Sequence, residues 1–150
     1  TKKELAASVN ELQVLFNSYT KDTDLRLAKA IANQYSMLAD ERYRQKGYTG
    51  ALDYYLLSAK LGCEAYSLAS ELDIQKDIDK GMEIINGHLS MSSVCIDYLE
   101  KVTWKIGQEE RQNIYETLDN LNNYPYQEIA DQVATLRARF VSLIESYKKE

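Results

Sequence analysis

One proline and six glycines are few chain breakers for 150 residues. Short strands need turns more often than that, so the scarcity points to long helices. A long uncharged apolar run is missing too, which excludes a membrane-spanning helix within the chain. Histidine occurs once, as His88, so a multi-histidine metal site is excluded, and Cys63 and Cys95 lack metal-ligand spacing. Two buried thiols are favoured over a disulfide for that pair, since a helical array has little need of a staple. His88, beside Gly87 in an expected connection, reads as an ordinary surface or capping residue.

Other chemical signatures fail on inspection. The run Asp73, Asp77, Asp79 is calcium-like, but Ile78 stands where a sharp-turn glycine is needed and no bidentate Glu follows. A phosphate-cradling glycine loop is absent. Glu109 and Glu110 are adjacent and diverge on a helix, so they make no catalytic pair. The reading is a non-enzyme without catalytic residues, cofactor or metal.

Charge of one sign is lacking only in part. The net charge is −5, and the acidic excess is concentrated in residues 51–100, where nine Asp/Glu face three Lys/Arg. A basic footprint for nucleic acid is absent. The acidic middle favours a basic or neutral partner. The chain opens Thr-Lys-Lys rather than with Met, which marks residue 1 as a fragment boundary or a processed end. A soluble chain, cytoplasmic by preference, is the expectation.

What is present is helical periodicity. Leu5, Val9, Leu12, Phe16 and Tyr19 form an apolar seam in a helix over residues 1–19, broken by Lys21-Asp22-Thr23-Asp24. A second helix should run from about 25 to 46 and stop at Gly47 in a left-handed cap. The third spans 48–61, halted by the turn Leu61-Gly62-Cys63, and the fourth 63–75. A short fifth covers 78–87, with Gly87 to Ser93 as a connection. The sixth runs 94–106 to Gly107, and the seventh 109–121, ended by Asn122-Asn123-Tyr124-Pro125. The eighth, 126–150, carries the longest seam: Tyr126, Ile129, Val133, Leu136, Phe140, Leu143 and Tyr147. Each such side chain contributes about 1.5–3 kcal/mol on full burial, so something must cover them. Capping within the chain is favoured, with homo-oligomerisation through Ile129, Val133, Leu136, Phe140 and Leu143 as the alternative.

The middle of the chain overlays on itself at an offset of 30. Leu38-Ala39 falls on Leu68-Ala69 and Tyr98-Leu99, and Tyr54-Tyr55 on Ile84-Ile85 and Ile114-Tyr115. Ala51 falls on Gly81 and then on Arg111, so the third copy is poor. Tyr35, Leu38, Ala39, Tyr48, Ala51 and Tyr55 resemble one tetratricopeptide unit, though the period is shorter than the 34 residues of that family. The resemblance implies an all-α single domain over 1–150: an α-solenoid of about three tetratricopeptide-like helix pairs over 25–121. An N-terminal helix and turn (1–24) and a C-terminal capping helix (126–150) complete it, with an irregular helical bundle as the alternative.

In such arrays the first helices of each pair line a concave binding face. That places Ser36, Asp40, Tyr43 and Arg44, then Tyr66, Ser70 and Asp73, then Glu100, Thr103 and Trp104 in a groove. The partner-binding set is Tyr43, Arg44, Tyr66, Asp73, Glu100 and Trp104. Arg44 with Asp73 and Glu100 suits a mixed-charge or basic ligand. Some of the twelve tyrosines fit such a groove, being large with few rotors to freeze. The expected function is a non-enzymatic scaffold or adaptor binding a protein or peptide. The alternative is a self-associating structural or regulatory protein using the C-terminal seam.

Overall fold

The computed structural model describes residues 2–102 and 106–148, and among them it is all-helical with no strand. Five helices replace the expected eight: α1 (Lys2–Arg44), α2 (Tyr48–Glu71), α3 (Gln75–Lys101), α4 (Gln108–Asn122) and α5 (Gln127–Lys148). Three of the expected breaks are run through. At Lys21–Asp24 the polar side chains are satisfied without leaving the helix. The Thr20 and Thr23 hydroxyls donate to the carbonyls of Phe16 and Tyr19 (2.9 and 3.0 Å). Asp22 pairs with Arg26 one turn on, and Lys21 reaches Glu71 of α2. The Leu61-Gly62-Cys63 turn and the Gly87–Ser93 connection are likewise unbroken helix, inside α2 and α3.

The stops that hold have identifiable chemistry. After α1, Lys46 takes the left-handed conformation (φ 62°), not Gly47 as expected. The Gly47 amide donates to the Arg42 carbonyl (2.8 Å) and that of Lys46 to Tyr43 (3.0 Å), which closes a Schellman cap. α2 ends the same way around Asp73 (φ 54°): Ile74 donates to Ala69 and Asp73 to Ser70. Ile74 then packs against the cluster that buries Ala69, the hydrophobic contact that accompanies this cap.

α2 packs against α1, α3 and α4, and α5 packs against α3 and α4. The order α2–α3–α5–α4 therefore closes into a four-helix ring, with the second half of α1 laid along α2. Inside the ring lie Leu52, Tyr55, Leu56, Ile85, Leu89, Ile96, Leu118 and Phe140, all buried. α5 is a wall of this ring, and its seam faces inward. Ile129, Val133, Leu136, Phe140 and Leu143 are at most 4% exposed, so the expected interface for homo-oligomerisation is already occupied by the chain's own core. Arg139 ties the same wall to α3 through Glu100, Asp97 and Ser93.

The first half of α1 is different. Val9, Leu12, Val14, Leu15, Phe16 and Tyr19 are 53% to 71% exposed. From Val9 to Tyr19 the N-terminal seam is thus helical as expected, and nothing among the described residues covers it. No helix among the described residues is long and apolar enough to cross a membrane.

Candidate functional site

α1, α2 and α3 enclose a groove of about 520 Å³, within the range of small-ligand and peptide pockets. Each wall follows from helical spacing. α1 contributes Leu25, Lys29, Ala32 and Ser36 along one face, while α3 contributes Lys76, Lys80, Ile84 and His88 at four-residue intervals. α2 supplies Gly62, Ala65 and Tyr66 as the floor. Small residues let the helices approach closely here: a Cβ on Gly81 would lie 3.2 Å from Tyr66 Cδ2.

The rim is cationic. Lys29 is paired with Asp77 across the groove mouth (2.8 Å), which leaves Lys76 and Lys80 without an ion pair among the described residues. The acidic excess of this stretch of sequence is therefore not the charge that the groove presents.

At the inner end His88 is half-buried between two serines. Ser58 is buried and donates its hydroxyl to the Ala32 carbonyl (2.8 Å). Its oxygen can then only accept from the imidazole, so Nδ1 (3.2 Å) carries the proton and Nε2 accepts from the Ser36 hydroxyl (3.2 Å). The ring stacks on Tyr55, whose hydroxyl donates to Asp40. Burial holds the His88 pKa below its ordinary value, with the Asp40 carboxylate opposing weakly. His88 is thus a mid-helix groove residue, in contrast to the surface position expected for it.

The Ser36–His88 contact has the reach of a nucleophile and its base. However, the imidazole Nδ1 is oriented by a hydroxyl, and no carboxylate takes that place among the described residues. Both serines also sit inside unbroken helices, whose amides are committed to the helix ladder and offer no oxyanion donors. No cluster of three or more metal-ligating side chains occurs among the described residues. Cys63 and Cys95 are free and buried, and burial pushes both thiols up to about 12.

The residues expected to share a groove are dispersed. Tyr66 and Ser36 do line it. Tyr43 lies elsewhere, in an aromatic cluster with Tyr48 and Tyr98, where Tyr48 and Tyr98 stack at 4.4 Å. Its hydrogen bond to Tyr98, with desolvation, raises its pKa. Arg44 is spent on Glu41, Glu100 on Arg139, and Asp73 is the left-handed cap of α2. Arg44, Asp73 and Glu100 therefore do not assemble into the mixed-charge site that was to favour a basic ligand. Thr103 and Trp104 lie outside the described residues. Sequence reasoning missed Lys29, Lys76, Lys80 and Ser58. The four-residue spacing from Lys76 to His88 was the available signal, hidden by dividing α3 at Gly87.

Compared with protein-family models, curated proteins and solved structures, the chain gives no match to any of them.

Proposed function

We propose that this protein is a non-enzymatic binding scaffold whose α1–α2–α3 groove takes an acidic, apolar-faced peptide segment of a partner protein. The observation that carries the reading is the groove itself: an apolar interior floored by Ala65 and flanked by Leu25 and Ile84, beside Lys76 and Lys80. A helical or extended peptide would lay leucine-like side chains on that floor and carboxylates against the two ammonium groups. The tetratricopeptide-like resemblance supports a scaffold as well, because its small and large positions Ala39, Ala51 and Tyr55 are buried where α1 meets α2. A solenoid-type use of the helix pairs remains part of this proposal.

A fluorescein-labelled peptide of Leu and Glu, titrated with the full chain and read by anisotropy, tests it. Saturable binding that weakens about tenfold in Lys76→Glu/Lys80→Glu is expected. Equal binding by that variant, or stronger binding of a matched Leu/Lys peptide, would remove the groove as an acidic-peptide site.

A further inference from the structure

We infer that the first half of α1 is a self-association arm, which pairs antiparallel with the same segment of a second copy of this chain. The seam Val9, Leu12, Phe16, Tyr19 recurs at 3-4-3 spacing, the pattern of a and d positions, and every one of these side chains is more than half exposed. Leaving them in water is unfavourable.

Three observations select a second copy as the cover. The first is volume. Two arms crossing about a two-fold axis near Val14 set Val9 against Tyr19 and Leu12 against Phe16, in both directions. Every layer then joins a smaller to a larger side chain. Parallel pairing would instead stack Val on Val and Tyr on Tyr, leaving one end thin and the other crowded.

The second is charge. From Val9 to Tyr19 the only charged residue is Glu11, which lies off the seam. The positions beside the seam are Ser8, Gln13, Leu15 and Thr20. Along that stretch a copy therefore meets no like charge despite the chain's net −5, and a charged partner would find only Glu11 to pair with. In the antiparallel register Leu15, 66% exposed, meets its own equivalent across the axis and extends the apolar contact.

The third is area. α1 is continuous from Lys2, so the arms overlap over about 20 residues, or about 30 Å. Two helices in contact over that length bury on the order of 1,000 Å² in total, the lower bound for a specific interface. The pairing is accordingly reversible, and it leaves the α1–α2–α3 groove open because the arm residues do not line it.

Sedimentation velocity of the full chain over a range of about 1–100 μM tests the inference. The weight-average mass is expected to rise from one chain towards two. Phe16→Asp, at an exposed position, should hold it at one chain while leaving the circular dichroism unchanged. Register is read by mixing Val9→Cys chains with Tyr19→Cys chains under mild oxidation. That mixture should cross-link faster than Leu12→Cys does with itself. A monomer at every concentration, a dimer indifferent to Phe16→Asp, or faster cross-linking of Leu12→Cys would each overturn the proposal.

Discussion

Gly62 of α2 and Ile85 of α3 stand so close that a Cβ on Gly62 would lie 2.9 Å from Ile85 Cγ1. Ile85 is fully buried, and Cγ1 sits at the root of a branched side chain, so it has little room to give. In an exposed helix Gly→Ala is worth about 1 kcal/mol in favour of alanine. Here the overpacking cost of about 1–3 kcal/mol outweighs that gain. Gly62→Ala is expected to lower the urea midpoint, and its cost should be smaller when measured in an Ile85→Ala background. Equal costs in the two backgrounds would mean that the helices do not meet at this pair.

Gly87 gives the opposite expectation. It lies within α3, is exposed, and a Cβ there would find nothing within 4 Å. The change to alanine removes backbone freedom from the unfolded chain and introduces no clash. Gly87→Ala should therefore stabilise by about 0.5–1 kcal/mol, seen as a higher thermal midpoint. A loss of stability would restore the break that the sequence suggested around this residue.

These two glycines show what was legible in the chain and what was not. The helical class, and the breaks at Gly47 and Asn122–Pro125, could be read because breaker and periodicity coincide there, whereas α3 ends at Lys101, short of the stop expected at Gly107. At Gly62 the breaker signal is local, about 1 kcal/mol, and the packing of α2 on α3 exceeds it. The folded structure identifies Ile85 as the neighbour that glycine lets approach. The two seams make a related point. Both Val9–Tyr19 and Ile129–Leu143 were correctly periodic, yet one is exposed and the other buried. Periodicity locates an apolar face without naming what covers it. The groove was half-visible for the same reason: Ser36 and Tyr66 were on the right faces, but the α3 wall was lost once His88 was read as a loop residue.

His88 provides a pH test. Its folded pKa is lowered by burial, while in the unfolded chain it titrates at the ordinary 6.5. Above that value both states are neutral and the full stability is present. As pH falls below 6.5 the unfolded chain takes up a proton that the folded one resists, and stability is lost until the folded pKa is passed. The groups facing the ring are Ser36 and Asp40 from α1 and Ser58 and Tyr55 from α2, and of these only Asp40 opposes the shift. Between pH 7.5 and 5.5 the wild type should lose stability relative to His88→Gln. As the only histidine, its ring proton resonance also reports the midpoint directly, and a value at or above 6.5 would contradict the neutral, doubly serine-bonded ring.

Asp53 carries the last prediction. Among the described residues its Oδ1 is buried on α2 without a hydrogen-bond partner, and Arg111 Nε on α4 is in the same condition. Desolvation, with the nearby Glu110 charge adding to it, raises the Asp53 pKa. A carboxyl raised in this way supports the fold only while protonated. Its contribution is complete below the ordinary value of 3.8 and is lost as pH rises through the folded pKa, so at neutral pH the ionised group works against folding. Asp53→Asn should therefore raise the thermal midpoint at pH 7 by the equivalent of less than about 1 kcal/mol, since solvent still reaches the half-buried side chain. The gain should shrink as pH is lowered towards 4, where the native carboxyl becomes neutral. A variant less stable than wild type at pH 7 would show that the ionised Asp53 carboxylate finds a stabilising partner in solution.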